Sequence, residues 1–174
     1  VVGDEQAALL AWEADAFDFT RVAVSAAKGL KASPPADSTL IEAPSTRYVW
    51  MTINMNAEPL KDLRVRQAIQ YAYDGDAVLQ GAYDGLTARS AGVIQPGTSF
   101  AREKNLIATR DVEKAKALLA EAGVDGLTLQ LVTLTDSTSM ATAQIIQASL
   151  ADAGITVEIQ PTEDAAYWAL GDKT

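Results

Sequence analysis

The second half of the chain carries the pattern that most constrains the fold. Residues 127–131 and 155–159 each alternate apolar and polar side chains, as half-buried strands do. Between them, residues 137–153 have the spacing of an amphipathic helix. The predicted inward face of that helix consists of Ala143, Ile146 and Leu150. A strand, a helix and a strand with tight connections form a βαβ unit with parallel strands, so the sequence predicts an α/β fold.

Two further helices are predicted from clear start signals. Asp111 is a candidate N-cap for a helix that runs to Ala122, with Gly123 as its stop. Asp62 can cap another helix, directly after a turn at Pro59. The predicted buried faces are Ala115, Leu118, Leu119 and Ala122 in the first helix, and Val65, Ala68, Ile69 and Ala72 in the second. The two faces indicate one shared core.

The first half of the chain predicts shorter elements. Helices are expected from Asp4 to Ala14, over residues 21–31, and from an Asp76 cap to Tyr83. Strands are expected over 16–19, 39–42 and 48–55, the last being the strongest because it is rich in aromatic and branched residues. Residues 86–110 show no period, and a loop of that length is often functional.

Composition narrows the function classes. The chain has 14 basic and 23 acidic residues, a net charge of −9, which disfavours binding to a phosphate backbone. It has no cysteine and no histidine, so disulfides and thiol chemistry are excluded, and any catalysis would need carboxylates, lysine or tyrosine. No apolar run approaches the length of a membrane span. The sequence therefore predicts neither a nucleic-acid-binding nor a membrane-embedded protein, and it indicates no cofactor.

Two sequence blocks point to a family. Residues 59–69 read Pro-Leu-Lys-Asp-Leu-Arg-Val-Arg-Gln-Ala-Ile and continue as Tyr-Ala-Tyr-Asp at 71–74. Residues 111–123 read Asp-Val-Glu-Lys-Ala-Lys-Ala-Leu-Leu-Ala-Glu-Ala-Gly. Together these blocks resemble the periplasmic solute-binding proteins of the dipeptide, oligopeptide and nickel type, which are family 5 of the bacterial extracellular solute-binding proteins. Trp12, Gln95 and Val112 depart from the family pattern, which has glycine, proline and proline there.

The resemblance implies a fold and a domain organisation. It implies a lobe similar to type II periplasmic binding proteins, with a mixed sheet flanked by helices and a C-terminal βαβ unit. It also implies that the chain is part of a longer protein. Residues 1–45 would lead from a first lobe into a hinge, and residues 46–174 would form a second lobe that is incomplete at its C-terminal end.

The resemblance also implies a function. The chain would belong to the substrate-binding component of an ABC import system, which captures a peptide or similar small polar solute between two lobes and delivers it to a membrane permease. It would then be no enzyme, and its location would be periplasmic or extracellular, with a lipoprotein anchor as one form. The alternative is a ligand-sensing domain of a transcription regulator with the same fold.

Three residues of the predicted strand at 48–55 are candidate ligand contacts. By the two-residue period, Tyr48, Trp50 and Asn54 share one face, and Arg47 lies on the other. The resemblance places this strand beside the cleft between the lobes. The alternative is that Tyr48 and Trp50 are ordinary core aromatics.

The helix after Pro59 offers a second candidate site. Arg64 and Arg66 could clamp a ligand carboxylate, because paired guanidiniums suit carboxylates. The alternative, which the resemblance favours, is architectural: Asp62, Arg64, Arg66 and Gln67 form a structural family motif in which the arginines bind Asp62, Asp74 or backbone groups.

Two remaining sets of polar residues have a functional and a structural interpretation. The carboxylate pairs Glu13 with Asp15 and Glu163 with Asp164 could indicate a hydrolase, but surface acids on an acidic protein are the favoured explanation. Residues 137–139, Ser-Thr-Ser, could bind an anion at a helix start, and plain capping is the alternative.

Overall fold

The computed structural model describes residues 4–43, 48–94, 98–106 and 109–171 of the 174-residue chain. In chain order the elements are α1 (Glu5–Glu13), α2 (Val24–Ala32), α3 (Leu63–Ala72), α4 (Gly75–Gly81), α5 (Val112–Glu121), β1 (Thr128–Leu134), α6 (Ser137–Ala151), β2 (Thr156–Thr162) and α7 (Asp164–Gly171). Helices and strands alternate in the second half, so the predicted α/β class is confirmed.

The predicted βαβ unit is present. Strands β1 and β2 pair in parallel, with Thr128 opposite Thr156 and Leu134 opposite Thr162. Helix α6 connects them and packs on both strands. Its inward residues Ala143, Ile146 and Leu150 are buried, as the spacing predicts.

One core joins α3, α4, α5, α6 and the two strands. The predicted buried stripe of α3 is confirmed, since Val65, Ala68, Ile69 and Ala72 are all buried. Leu118 and Leu119 of α5 pack against it from the facing helix. Burial of such side chains contributes roughly 1.5–3 kcal/mol for each large aliphatic residue, which makes this cluster the main source of stability.

Aspartates begin five of the helices. Each accepts a hydrogen bond from a backbone N–H of the first turn. These N-caps are Asp4, Asp62, Asp74, Asp111 and Asp136. One predicted start is corrected, because Asp74 rather than Asp76 caps α4. Helix α6 begins at Ser137 as predicted, but its cap is Asp136 instead of a hydroxyl of residues 137–139. In both cases an aspartate that lies earlier in the chain accepts a hydrogen bond from a free backbone N–H of the helix's first turn.

The strands predicted over 16–19, 39–42 and 48–55 are wrong for the described residues. The described sheet consists of β1 and β2, which are parallel. A mixed sheet would also need an antiparallel strand, and the described residues contain none. The side chains of these segments stay largely open, with Phe19 87% and Ile41 84% exposed. A strand requires a neighbour for its backbone groups, and an alternating pattern alone does not supply one.

The N-terminal segment lies apart from the core cluster. Helices α1 and α2 contact each other through a hydrogen bond from Gln6 to Ser25 of 2.6 Å. Leu9 and Ala23 are buried, yet neither belongs to the core formed by later residues. The expected boundary between residues 45 and 46 lies outside the described residues, as does Arg47.

Candidate functional site

An open cleft of about 330 Å³, here called the Trp50 cleft, lies beside the candidate residues Tyr48 and Trp50. It is lined by residues 48–50, Gln70, residues 90–93, Arg102, Asn105 and Leu106. The extended segment at 48–50 forms one wall, and residues 90–93 with Arg102, Asn105 and Leu106 form another. Helix α3 contributes Gln70, so the family block at 59–74 touches the cleft at one residue.

The Trp50 cleft contains a pair of aromatic rings. The ring centroids of Tyr48 and Trp50 lie 4.8 Å apart with an interplanar angle of 34°. The indole Nε1 of Trp50 donates to Thr52 Oγ1 at 2.9 Å, which fixes the ring from the next residue on the same side. Trp50 is 61% exposed, so it is not buried in the core. The structure thus brings together two of the three candidate contacts.

Asn54, the third candidate, does not line the Trp50 cleft. Its side-chain oxygen accepts the backbone N–H of Asn56 at 3.0 Å, and its carbonyl accepts the N–H of Ala57 at 3.4 Å. Asn54 therefore organises the turn before Pro59. Two-residue periodicity cannot predict this difference, because the segment turns after residue 53.

Arg64 binds groups of the chain itself. Its Nε lies 3.1 Å and 3.2 Å from the two carboxylate oxygens of Asp62, and Nη1 donates to the carbonyl of Glu121 at the end of α5. The hydrogen bond from the guanidinium, followed by the backbone N–H of Arg64, lowers the pKa of the Asp62 carboxyl from 3.8 to about 2. The same side-chain bond raises the pKa of Arg64.

Arg66 also binds local backbone. Its Nη1 donates to the carbonyls of Leu60 and Lys61 at 2.9 and 2.8 Å, across the turn that precedes α3. Gln67 is half-buried on the same helix. Neither Arg64 nor Arg66 lines the Trp50 cleft, and the contacts of both arginines hold the turn and α5 against α3.

Sequence reasoning did not identify the polar residues on the far side of the Trp50 cleft. Ser90 Oγ donates to the carbonyl of Gly92 at 2.6 Å and closes a tight local turn. Arg102 passes over that turn, since its Cδ lies 3.6 Å from where a Cβ of Gly92 would stand. The only sequence signal for this side of the cleft was the length of the stretch without periodicity at 86–110, which indicates a functional loop but does not identify its ligand-binding residues.

The other candidate groups do not assemble into a site. Glu13, Asp15, Glu163 and Asp164 are exposed, and none lines the Trp50 cleft. The carboxylate of Asp136 accepts the N–H of Ser139 at 2.9 Å, so an acid already occupies the start of α6. Across the described residues there is no group of acidic side chains that could hold a metal ion. No described helix is both long and apolar enough to cross a membrane.

Comparisons with known proteins give consistent results over most of the chain. The family model described as "Bacterial extracellular solute-binding proteins, family 5 Middle" matches residues 1–173. The "Dipeptide-binding protein" of Escherichia coli K12 is 31% identical over 134 residues, which are 74% of this chain and 25% of that protein. The chain thus spans about a quarter of the length of this curated relative.

Solved structures give the same fold. The PBP/SBP MoaA from A. tumefacien R10, in complex with mannopinic acid, matches with a TM-score of 0.76 and 28% identity, over 97% of this chain and 34% of that one. The oligopeptide-binding protein AppA from Bacillus subtilis, in complex with a nonapeptide, matches with a TM-score of 0.82 over 97% of this chain and 36% of that one. Its 24% identity is evidence for the fold alone.

Proposed function

Because the chain belongs to family 5 of the bacterial extracellular solute-binding proteins, we propose that it is part of the substrate-binding component of an ABC import system. The component captures a peptide or similar small polar solute and delivers it to a membrane permease. The observation that carries this proposal is the family match over residues 1–173, together with a dipeptide-binding relative at 31% identity. The family is extracellular by description, in agreement with the location predicted from the sequence.

The proposed domain organisation follows the packing. Residues 46–174 form the second lobe, and residues 1–45 lead into it from the first. In support, every buried residue of the core cluster lies at or after Val65, whereas Leu9 of α1 and Ala23, which precedes α2, are buried outside that cluster. The cleft between the lobes then borders residues 48–50.

The proposed ligand contacts are Tyr48 and Trp50, which present an aromatic pair in the Trp50 cleft. Asn54 shapes the turn behind them instead of touching ligand. Asp62, Arg64, Arg66 and Gln67 are architectural, because the arginines are engaged by Asp62 and by backbone carbonyls.

The proposed component performs no catalysis. The relatives named above are binding proteins, and transport requires only that the ligand be bound and released on closure and opening of the lobes. The regulator alternative has no support in those relatives, and no observation on the described residues favours it.

The test is isothermal titration calorimetry of the full natural polypeptide that contains this sequence. A panel of di-, tri- and tetrapeptides with apolar side chains is titrated, and at least one peptide is expected to bind with micromolar or tighter affinity. Trp50→Ala should weaken that binding by about 10-fold or more, since a stacked aromatic contact is lost. The matched control is Trp168→Ala, a similarly exposed tryptophan on α7 that lies outside the Trp50 cleft. Absence of binding across the panel would overturn the proposal that the ligand is a peptide.

A further inference from the structure

Arg102 is the only charged residue that lines the Trp50 cleft within the described part of the chain. Its side chain is exposed, and its stem lies over Gly92, whose position is fixed by the hydrogen bond from Ser90. No acidic residue shares the described lining. The cleft therefore presents one positive charge in a protein whose net charge is −9.

Every other described arginine has a partner within the chain. Arg21, Arg64, Arg89 and Arg110 pair with carboxylates, and Arg66 donates to two backbone carbonyls. For Arg102 the described residues supply neither an acid nor a carbonyl within bonding distance. The chain has 23 acidic residues, yet none of the described ones pairs with Arg102. The guanidinium of Arg102, beside the aromatic pair, is therefore available to bind a ligand.

We propose that Arg102 binds a carboxylate of the transported solute, while the Tyr48 and Trp50 rings contact an apolar or planar part next to it. This inference rests on the proposed function and deepens it by naming an anionic ligand class. A guanidinium binds a carboxylate through two parallel hydrogen bonds, and its charge strengthens both.

The rest of the lining favours a ligand with a single negative charge. Gln70 and Asn105 are neutral amides, which donate and accept hydrogen bonds without adding charge. One guanidinium among neutral groups balances one carboxylate, whereas a doubly charged phosphate would leave a charge unmatched in a strongly acidic protein.

The experiment compares each binding peptide of the panel with its C-terminal amide, on the full natural polypeptide, by titration calorimetry. The amide removes the carboxylate and leaves the rest of the peptide unchanged. Arg102→Met removes the charge and keeps a comparable apolar stem. Lys104→Met is the matched control, because Lys104 is an exposed cation two residues away that does not line the Trp50 cleft.

We expect the wild-type protein to bind the acid about 10- to 100-fold more tightly than the amide, the range that a charge-assisted hydrogen bond supports. Arg102→Met should lose most of this preference, whereas Lys104→Met should keep it. The acid's affinity should also fall with added salt in the wild type and much less in Arg102→Met. Unfolding curves of Arg102→Met should match those of the wild type, because the side chain has no partner among the described residues.

Two results would count against the inference. If wild type and Arg102→Met prefer the acid equally, another group binds the carboxylate and the assignment of Arg102 is wrong while the proposed function stands. If neither form of any peptide binds the wild-type protein, the proposal of a peptide ligand fails, and the assignment of Arg102 to its carboxylate fails with it.

Discussion

Asp62 holds the start of α3 in two ways at once. Its carboxylate accepts the backbone N–H of Arg64 at 2.8 Å and also pairs with the guanidinium of the same residue. Both contacts favour the charged form, which is why the pKa of this partly exposed carboxyl falls to about 2. A lowered pKa in the folded state makes the stability of the protein depend on pH.

The sign of that dependence follows from the direction of the shift. The stabilisation from ionised Asp62 is fully present above the ordinary carboxyl pKa of 3.8 and is lost as the pH falls through about 2. Asp62→Asn keeps a capping oxygen but removes the charge. We expect the variant to be less stable than the wild type above about pH 4, with the difference shrinking towards pH 2, in urea unfolding followed by circular dichroism.

The control for Asp62 uses its partner. In an Arg64→Met background the guanidinium is absent, so the effect of Asp62→Asn should vary much less between pH 2 and 5. A pH profile of the same shape in both backgrounds would show that Arg64 is not the cause.

Arg110 joins the ends of two helices, α3 and α6, through its guanidinium. It donates to the carbonyl of Ala72 at 2.9 Å, to that of Ser149 at 2.8 Å and to Asp152 at 2.7 Å. The ends of α3 and α6 are thereby held together where their last carbonyls lack partners. The side chain is 28% exposed, so these bonds are partly shielded from water.

Removing Arg110 should therefore lower the free energy of unfolding. We expect about 1–3 kcal/mol for Arg110→Met, because two helix-end carbonyls and a carboxylate lose a charged donor. Lys114→Met is the control, since Lys114 is exposed on α5 and makes no side-chain ion pair among the described residues. Equal midpoints for both variants in guanidinium chloride would refute this role.

Individual residues differ in how well sequence alone could predict them. Tyr48 and Trp50 could be placed together because side chains two positions apart in an extended chain point to the same side. Arg102 could not, because it reaches the Trp50 cleft by lying over Gly92, in an irregular part of the chain. That segment has no period, and its turn at Ser90 and Gly92 depends on one side-chain hydrogen bond.

At the scale of elements, α4 packs against α6 at Gly81. A Cβ on this residue would stand 2.7 Å from Ile145 Cδ1 and 3.7 Å from Cγ1. The first distance is a clash, and the second is an ordinary contact. Gly81 thus allows the helices to pack at this separation, although alanine would otherwise favour a helix by about 0.5–1 kcal/mol.

A double-mutant cycle tests this contact. We expect Gly81→Ala to destabilise the wild-type protein by about 1 kcal/mol through overpacking. Ile145→Val removes Cδ1, so in that background Gly81→Ala should be neutral or stabilising. The coupling, measured by thermal or chemical unfolding of all four proteins, should be about 1 kcal/mol. Additive effects would mean that Ile145 moves aside at no cost.

Elements were predictable where their partners lie within the chain. Helices α3 and α5 each carry an aspartate cap and an apolar stripe, and the two stripes face each other. Strands β1 and β2 pair with each other, so their alternation matched a real sheet. The runs at 16–19, 39–42 and 48–55 have strand-like composition but no neighbouring strand among the described residues. Strand-like composition shows that a segment can form a strand, and the strand forms only where a neighbouring strand satisfies its backbone groups.

At the scale of the whole molecule, several large apolar side chains are exposed to solvent in the segment that precedes Pro59. Val49, Trp50 and Met55 are 69%, 61% and 60% exposed, all in one segment. Exposed apolar patches of this kind mark surfaces that another part of a protein covers. The chain spans 25% of its dipeptide-binding relative and 34% of the MoaA structure, so further polypeptide exists in those proteins to provide such a cover.

Hydrogen exchange tests whether the segment at 48–54 lacks a partner in the 174-residue polypeptide. Its described backbone amides donate to no carbonyl of the described residues, whereas the amides of α3 and α6 lie in regular helices around a buried core. We expect residues 49–54 to exchange nearly as fast as an unstructured peptide and the buried turns of α3 and α6 to be strongly protected, as measured by mass spectrometry. In the full natural polypeptide the same segment should become protected, because a strand-forming sequence beside a cleft gains stability only when a neighbour satisfies its backbone. Strong protection of this segment in the 174-residue polypeptide alone would show that it already has a partner there, and the assignment of the Trp50 cleft to the border between two lobes would lose its physical basis.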